Sequence, residues 1–286
     1  LTDVTGVQTC ALPISPRSTA VAGWLEGFYR LPSRLLPDPL GILVEKELRF
    51  LSRASRFRLV FFMGFSFGLI IWFPLAFREG RQDGMLAENF LVWVSLYATL
   101  MLGDVLFWNC FGFDRQAVQA YFVMPVRFST ILVGKNVAAV SLLFLEILLV
   151  TLACSLFRIR VTLDKALEAF AVTGMVCLFL LPVGNLMSVR MPRPTDPSSS
   201  WRNSSGGKAQ LLLLVVYPLL GIPVALAYLA RYAFGTELAF YLALAGGYLI
   251  AGITYYVAMD SAVEYAARES ESTIATLSKG EGPIGG

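Results

Sequence analysis

Three polar residues interrupt otherwise apolar runs of this 286-residue chain: Asp104, Glu146 and Asn185. Two carboxyl groups held together away from water can share a proton or a cation, or join a hydrogen-bond network with an amide. Their spacing permits a meeting. Asp104 lies nine positions before Phe113, the end of one run, and Glu146 nine positions after Val137, the start of the next. In two antiparallel helices rising 1.5 Å per residue, both would sit about 13–14 Å from the same edge. The chain has no histidine, and no Lys or Arg falls in these runs to complete a relay. Helix-to-helix hydrogen bonding is therefore the favoured role for the pair, with ion or proton coupling as the alternative.

Other chemistry finds little support. The absence of histidine removes bis-histidine haem and histidine metal centres. Cys10, Cys110, Cys154 and Cys177 are scattered, with no CxxC spacing, so neither a zinc site nor a disulfide framework is expected. No nucleophile–base pair stands out. The phosphate-binding G-x-x-x-x-G-K-[ST] pattern is missing: Gly134-Lys135 runs into Asn136, and Gly207-Lys208 into Ala209. No metal, no cofactor and no enzymatic activity are expected, and a net charge of +3 gives no reason to expect nucleic acid.

The elements that would carry these residues are six apolar stretches: Leu59–Phe77, Phe90–Phe113, Val137–Phe157, Ala169–Val189, Leu211–Ala230 and Leu238–Met259. Each approaches the roughly 20 residues a helix needs to cross a bilayer core. Hydrophobic residues make up 56% of the chain and charged residues 15%, against about one quarter charged in a soluble domain. An all-α, polytopic membrane protein with six transmembrane helices is expected. Its basic residues are sided. Only Arg78, Arg81, Arg158, Arg160, Lys165 and Arg231 fall on one side, and every other Lys and Arg on the other. The positive-inside bias places both termini in the cytoplasm of a plasma or bacterial inner membrane.

Residues 16–58 read as a cytoplasmic linker and interfacial helix, 59–259 as the six-helix domain and 260–286 as a cytoplasmic tail. In Gly41–Arg53, Val44, Leu48 and Leu51 recur at i, i+4 and i+7, while Glu45, Lys46, Arg49 and Arg53 point elsewhere. The pattern predicts an N-terminal amphipathic helix lying in the inner interface. Residues 4–14 resemble the translation of a sequencing adapter, so 1–15 are set aside as non-native. The chain lacks an initiator Met, and residues 16–40 are expected to be a linker from an upstream membrane half. The loop 190–210 is rich in Pro, Ser and Gly and predicts an irregular surface. Gly64 and Gly68, and Gly247 and Ala251, are small residues four apart that allow close helix approach. Pro218, Gly221 and Pro223 predict a kinked or broken fifth span.

The most specific piece is the loop between the second and third stretches. A short helix over about Arg115 to Val123 should stop at Pro125, and Ser129 or Thr130 should cap the next. With Pro125, Val126, Ile131, Leu132, Gly134 and Lys135 in order ahead of a membrane helix, the chain resembles the permease subunits of the ABC-2 family of transporters. The resemblance covers about residues 43–262: an interfacial helix, six spans, a loop and cytoplasmic termini. It departs in two places, a short connection between the last two spans and a long Pro/Ser/Gly loop.

The resemblance implies a permease, an exporter, driven by a separate ABC ATPase subunit that touches the loop at Arg115, Tyr121, Pro125, Val126, Arg127 and Lys135. It also implies a homodimer or pairing with a second membrane half. Two other classes stay open: an ion-coupled secondary transporter using Asp104 and Glu146, and a non-transporting membrane scaffold.

Overall fold

The computed structural model describes residues 26–76, 88–157, 161–195 and 207–278, and within these the side chains of 72–76, 104 and 207–213 are not placed. The described residues form helices and connecting turns, with no strand among them. In chain order the helices are α1 (Leu31–Leu35), α2 (Leu40–Arg53), α3 (Ser55–Ala76), α4 (Phe90–Leu106), α5 (Val118–Val123), α6 (Phe128–Leu156), α7 (Leu163–Arg190), α8 (Gly207–Phe234), α9 (Glu237–Arg268) and α10 (Ser270–Leu277). A 3₁₀ turn, Arg115–Ala117, leads into α5. The start of α3, the α4–α6 loop, the end of α7 and the end of α9 lie at one end of the bundle, called here the loop end.

Among the described residues, four helices are long and apolar enough to cross a membrane: α6, α7, α8 from Leu214 onward, and α9. A fifth candidate is the pair α2–α3, bent by 80° at Ala54. Ala54 is extended, and its N–H donates back to the carbonyls of Phe50 and Leu51, which closes α2 before α3 begins. The second expected span is shorter than its hydropathy suggested. The helix ends at Leu106, and residues 107–114 form consecutive turns instead of continuing to Phe113. The Gly103 carbonyl takes both the Phe107 and Trp108 N–H groups. The Asn109 amide then donates to the Arg193 carbonyl and accepts from the Arg193 N–H, drawing the turn across to the end of α7.

Local signals account for the other boundaries. Thr162 and Thr236 accept backbone N–H groups at the starts of α7 and α9. Asp164 and Glu237 in the first turns, and Arg190 and Arg268 in the last, complement the helix dipoles. The expected cap of α6 differs: Arg127 precedes the helix in an extended conformation with no side-chain cap, and neither Ser129 nor Thr130 serves. α8 is not broken. It runs as one helix through Pro218 and Pro223.

The main core lies between the long helices, with Leu102, Trp108, Leu143, Ile147, Met175, Leu180 and Phe240 fully enclosed. Val44, Leu48 and Leu51 of α2 are buried in it, so the apolar face of the amphipathic helix is turned toward the protein's own helices. A Cβ on Gly134 would come within 3.0 Å of the Leu43 Cβ, so glycine there lets α2 and α6 meet closely. Gly64 of α3 plays the same part beneath α6, and Gly247 of α9 lies against Met175 of α7. A smaller core at the loop end joins Phe111, Val118 and Tyr121 to Ile131, Leu132, Val189, Met259, Ala262 and Leu277.

Candidate functional site

The loop between α4 and α6 is built from the inside out. α5 holds Val118 and Tyr121 inward and stops at Met124, which is extended ahead of Pro125 as the sequence predicts. Phe111, Phe122 and Phe128 pack ring against ring beneath it, with Phe122 and Phe128 stacked at 5.3 Å. α10 lies against α5 and the 3₁₀ turn, and its Leu277 is fully buried.

Behind α5 sits a buried cluster of charge. Lys135, only 5% exposed, projects from the second turn of α6. Its ammonium is 2.8 Å from Glu47 Oε1 of α2 and 2.6 Å from Asp114 Oδ2 of the loop. Lys46 completes the group, 2.9 Å from Asp114 Oδ1 and 3.4 Å from Glu47 Oε2. It also donates to the Tyr121 hydroxyl at 2.5 Å, and that hydroxyl donates to Asp114 at 3.0 Å. Two ammonium groups face two carboxylates, so the cluster is balanced. Lys135 further lies 5.3 Å from the ring centre of Phe111. Burial works to raise the Asp114 carboxyl, but the Lys135 and Lys46 charges overcome it and hold the group below the usual range. Burial pushes the Tyr121 phenol up to about 12 and the Cys110 thiol up to about 11, so both stay neutral near pH 7.

The six loop residues singled out from the sequence therefore separate into two groups. Tyr121 and Lys135 are interior members of the charge cluster. Pro125 and Arg127 are exposed, with Val126 and Arg115 half-buried. Arg115 adopts φ of 49°, a left-handed conformation unusual for a side-chain-bearing residue. Two exposed apolar residues were not anticipated: Val123, 77% exposed, and Met124, 45% exposed, form the tip beside Arg127. Glu47 was also missed. Its signal is visible in hindsight, because position 47 falls between Val44, Leu48 and Leu51 on the apolar side of α2.

Within the bundle Glu146 is fully buried, and neither carboxyl oxygen has a hydrogen-bond partner among the described residues. Its Oε1 packs directly over Gly64 of α3, where a Cβ would collide with it. The Asp104 side chain lies outside the described residues. Asn185 is buried in α7, and its amide nitrogen has no hydrogen-bond partner among them either.

A second charged cluster, also missed, closes the opposite end. Glu168 of α7 receives both guanidinium nitrogens of Arg231 at 2.8 and 3.1 Å and the Tyr228 hydroxyl at 2.6 Å. Arg231 also reaches Glu237 at 2.7 Å and stacks on Phe240 at 3.9 Å. Lys165 lies 3.3 Å from Glu168 and 2.8 Å from the Asn89 side-chain oxygen.

No group of three or more His, Cys, Asp or Glu suited to a metal ion occurs among the described residues. Comparison with protein-family models, curated proteins and solved structures finds no match to this chain. The described residues form an all-helical protein with several apolar helices compatible with a multi-pass membrane protein.

Proposed function

We propose that the chain is the membrane subunit of an ATP-driven exporter of the ABC-2 permease type. In this reading six helices span the bilayer, the loop end faces the cytoplasm, α2 runs along the inner interface and two membrane halves pair. A separate ATPase subunit docks on the loop tip, Val123 to Arg127. One observation carries the reading. The loop exposes Val123 and Met124 beside the cationic Arg127, yet is fastened from behind to α2 and α6 through buried ions. Apolar side chains on a tip braced from behind support a partner-bearing surface there, and motion imposed on it would pass to α2 and α6 through the buried ions.

Affinity purification from native membranes tests it. An ATPase subunit should co-purify with the intact chain, and Val123→Asp with Arg127→Glu should release it while the protein remains folded. An undisturbed association in that double variant would remove the loop tip from the interface, and the absence of any ATPase would remove the reading itself.

The unpartnered Glu146 favours a second reading, an ion-coupled transporter in which this carboxyl exchanges a proton. It requires transport that depends on pH and proceeds without ATP, and that stops in Glu146→Gln.

A further inference from the structure

Among the described residues, polar contacts join α8 to the rest of the bundle at two points. Toward the loop end, the Tyr217 hydroxyl accepts from Trp108 Nε1 at 2.7 Å and donates to the Leu100 carbonyl at 3.3 Å. Toward the other end, Tyr228 and Arg231 close on Glu168. Between these points come Pro218, Gly221 and Pro223. Each proline removes one backbone hydrogen bond from the helix, and Gly221 has nothing within 4 Å of where a Cβ would stand. Leu220, Val224 and Ala227 make one buried stripe, while Leu219, Ile222 and Leu226 face outward. A helix weakened in its middle and held by polar contacts on either side has the construction of a lever.

The charges at the far end are arranged so that the lever can release. A buried ion pair is normally costly to separate because each partner is left uncompensated. Here neither would be. Glu168 keeps Lys165, which is itself fixed by Asn89, and Arg231 keeps Glu237 across the short connection into α9. The two halves each hold a counter-charge whether or not they touch.

We propose that Glu168 and Arg231 form a latch at the end opposite the loop, and that the segment of α8 beyond Pro223 is the arm it holds closed. Combined with the permease reading, on which this role rests, the latch is the outer closure of the translocation path, and the described conformation is its closed state. Glu168, Tyr228 and Arg231 are positioning residues here and contact no cargo.

The test is a distance measurement by pulsed electron spin resonance on the full chain. Spin labels go on Leu163→Cys and Phe234→Cys, two exposed positions at the start of α7 and the end of α8, with Cys10 replaced by Ser and the three buried cysteines left in place. The parent should give one narrow distance population. Glu168→Gln, which keeps the size of the side chain, should add a second, longer population amounting to a substantial fraction of the sample. Adding Pro218→Ala and Pro223→Ala should reduce that population, because a stiffened α8 cannot swing. Arg231→Gln, which leaves Glu168 to Lys165, serves where the single variant does not fold, and should add the same longer population. An unchanged distribution in Glu168→Gln, or a longer population that ignores the prolines, overturns the latch. Failure of the permease reading would appear separately, as no ATPase co-purifying, and would leave these distances as they stand.

Discussion

The Lys135 ammonium and the Asp114 carboxylate lie 2.6 Å apart, both almost wholly withdrawn from solvent. One belongs to a long apolar helix and the other to the turn that precedes the loop, so this contact decides where the loop stands on the bundle. Removing one member of a buried pair strands the other, at about 3–5 kcal/mol. Lys135→Met and Asp114→Asn should each lower stability toward the lower end of that range, because Lys46 still faces Asp114 in the first and Glu47 still holds Lys135 in the second. The double variant should lose less than the sum of the two, since no charge is stranded twice. Thermal unfolding of the purified protein in detergent measures all three. Additive losses would show that the two residues act independently.

The same cluster sets a pH window. A carboxyl whose folded pKa is depressed contributes stability above its unfolded value, about 3.9 for Asp, and loses it as pH falls through the folded value. Asp114 is such a group. Tyr121 works at the other limit. Its phenol, raised to about 12, favours the fold while neutral, so its contribution is full below an unfolded pKa of about 10 and lost as pH rises through the folded one. Stability should be level from about pH 4 to 10 on account of these two groups. Asp114→Asn should flatten the acid limb and Tyr121→Phe the alkaline limb, read from melting temperature against pH.

How much of this is legible in the sequence depends on how far apart the partners are along the chain. The α5 helix and its stop at Met124 are local events, dictated by Pro125 and the residues just before it, and they are readable. The end of α4 is not. Residues 107–113 are as apolar as the helix they follow, and what turns them is the bond from Asn109 to Arg193, 84 positions away. Lys135 looks like a basic residue at a helix entrance, where a solvated role is expected. Only the fold brings Glu47, 88 positions distant, against it. Glu168 and Arg231 likewise look like members of separate exposed connections, because the distance between them, 63 positions, hides the pairing. The two clusters share one property that no local pattern carries: each is balanced only when residues from three elements meet.

Glu146 and Gly64 make a packed pair in which the carboxyl occupies the space a side chain would need. Gly64→Ala should destabilise the bundle by about 1–3 kcal/mol, the usual cost of overpacking a filled core. Glu146→Gln, similar in size, should cost less than Gly64→Ala, because no charged partner among the described residues is lost. Glu146→Ala combined with Gly64→Ala should recover part of the loss. Unfolding curves of the three variants decide the matter, and a neutral Gly64→Ala would show that α3 and α6 do not approach this closely.

Leu277 is the last residue of α10 and is completely buried in the smaller core, where α10 packs on α5 and the turn before it. Truncating a buried leucine to alanine costs about 2–5 kcal/mol where the site cannot collapse. In this protein the loss falls first on one local unit, since among the described residues α10 packs chiefly on α5, the turn before it and the end of α9. Leu277→Ala should therefore leave the melting of the long helices nearly unchanged and release the loop. Amide hydrogen exchange over residues 115–123 should accelerate by at least tenfold, about 1.4 kcal/mol of local stability at 25 °C, with α6 and α7 unaffected. Faster exchange spread evenly over the whole bundle would mean that α10 supports the entire fold. No change in the loop would mean that α5 is held by the Asp114–Lys135 cluster and its aromatic neighbours alone.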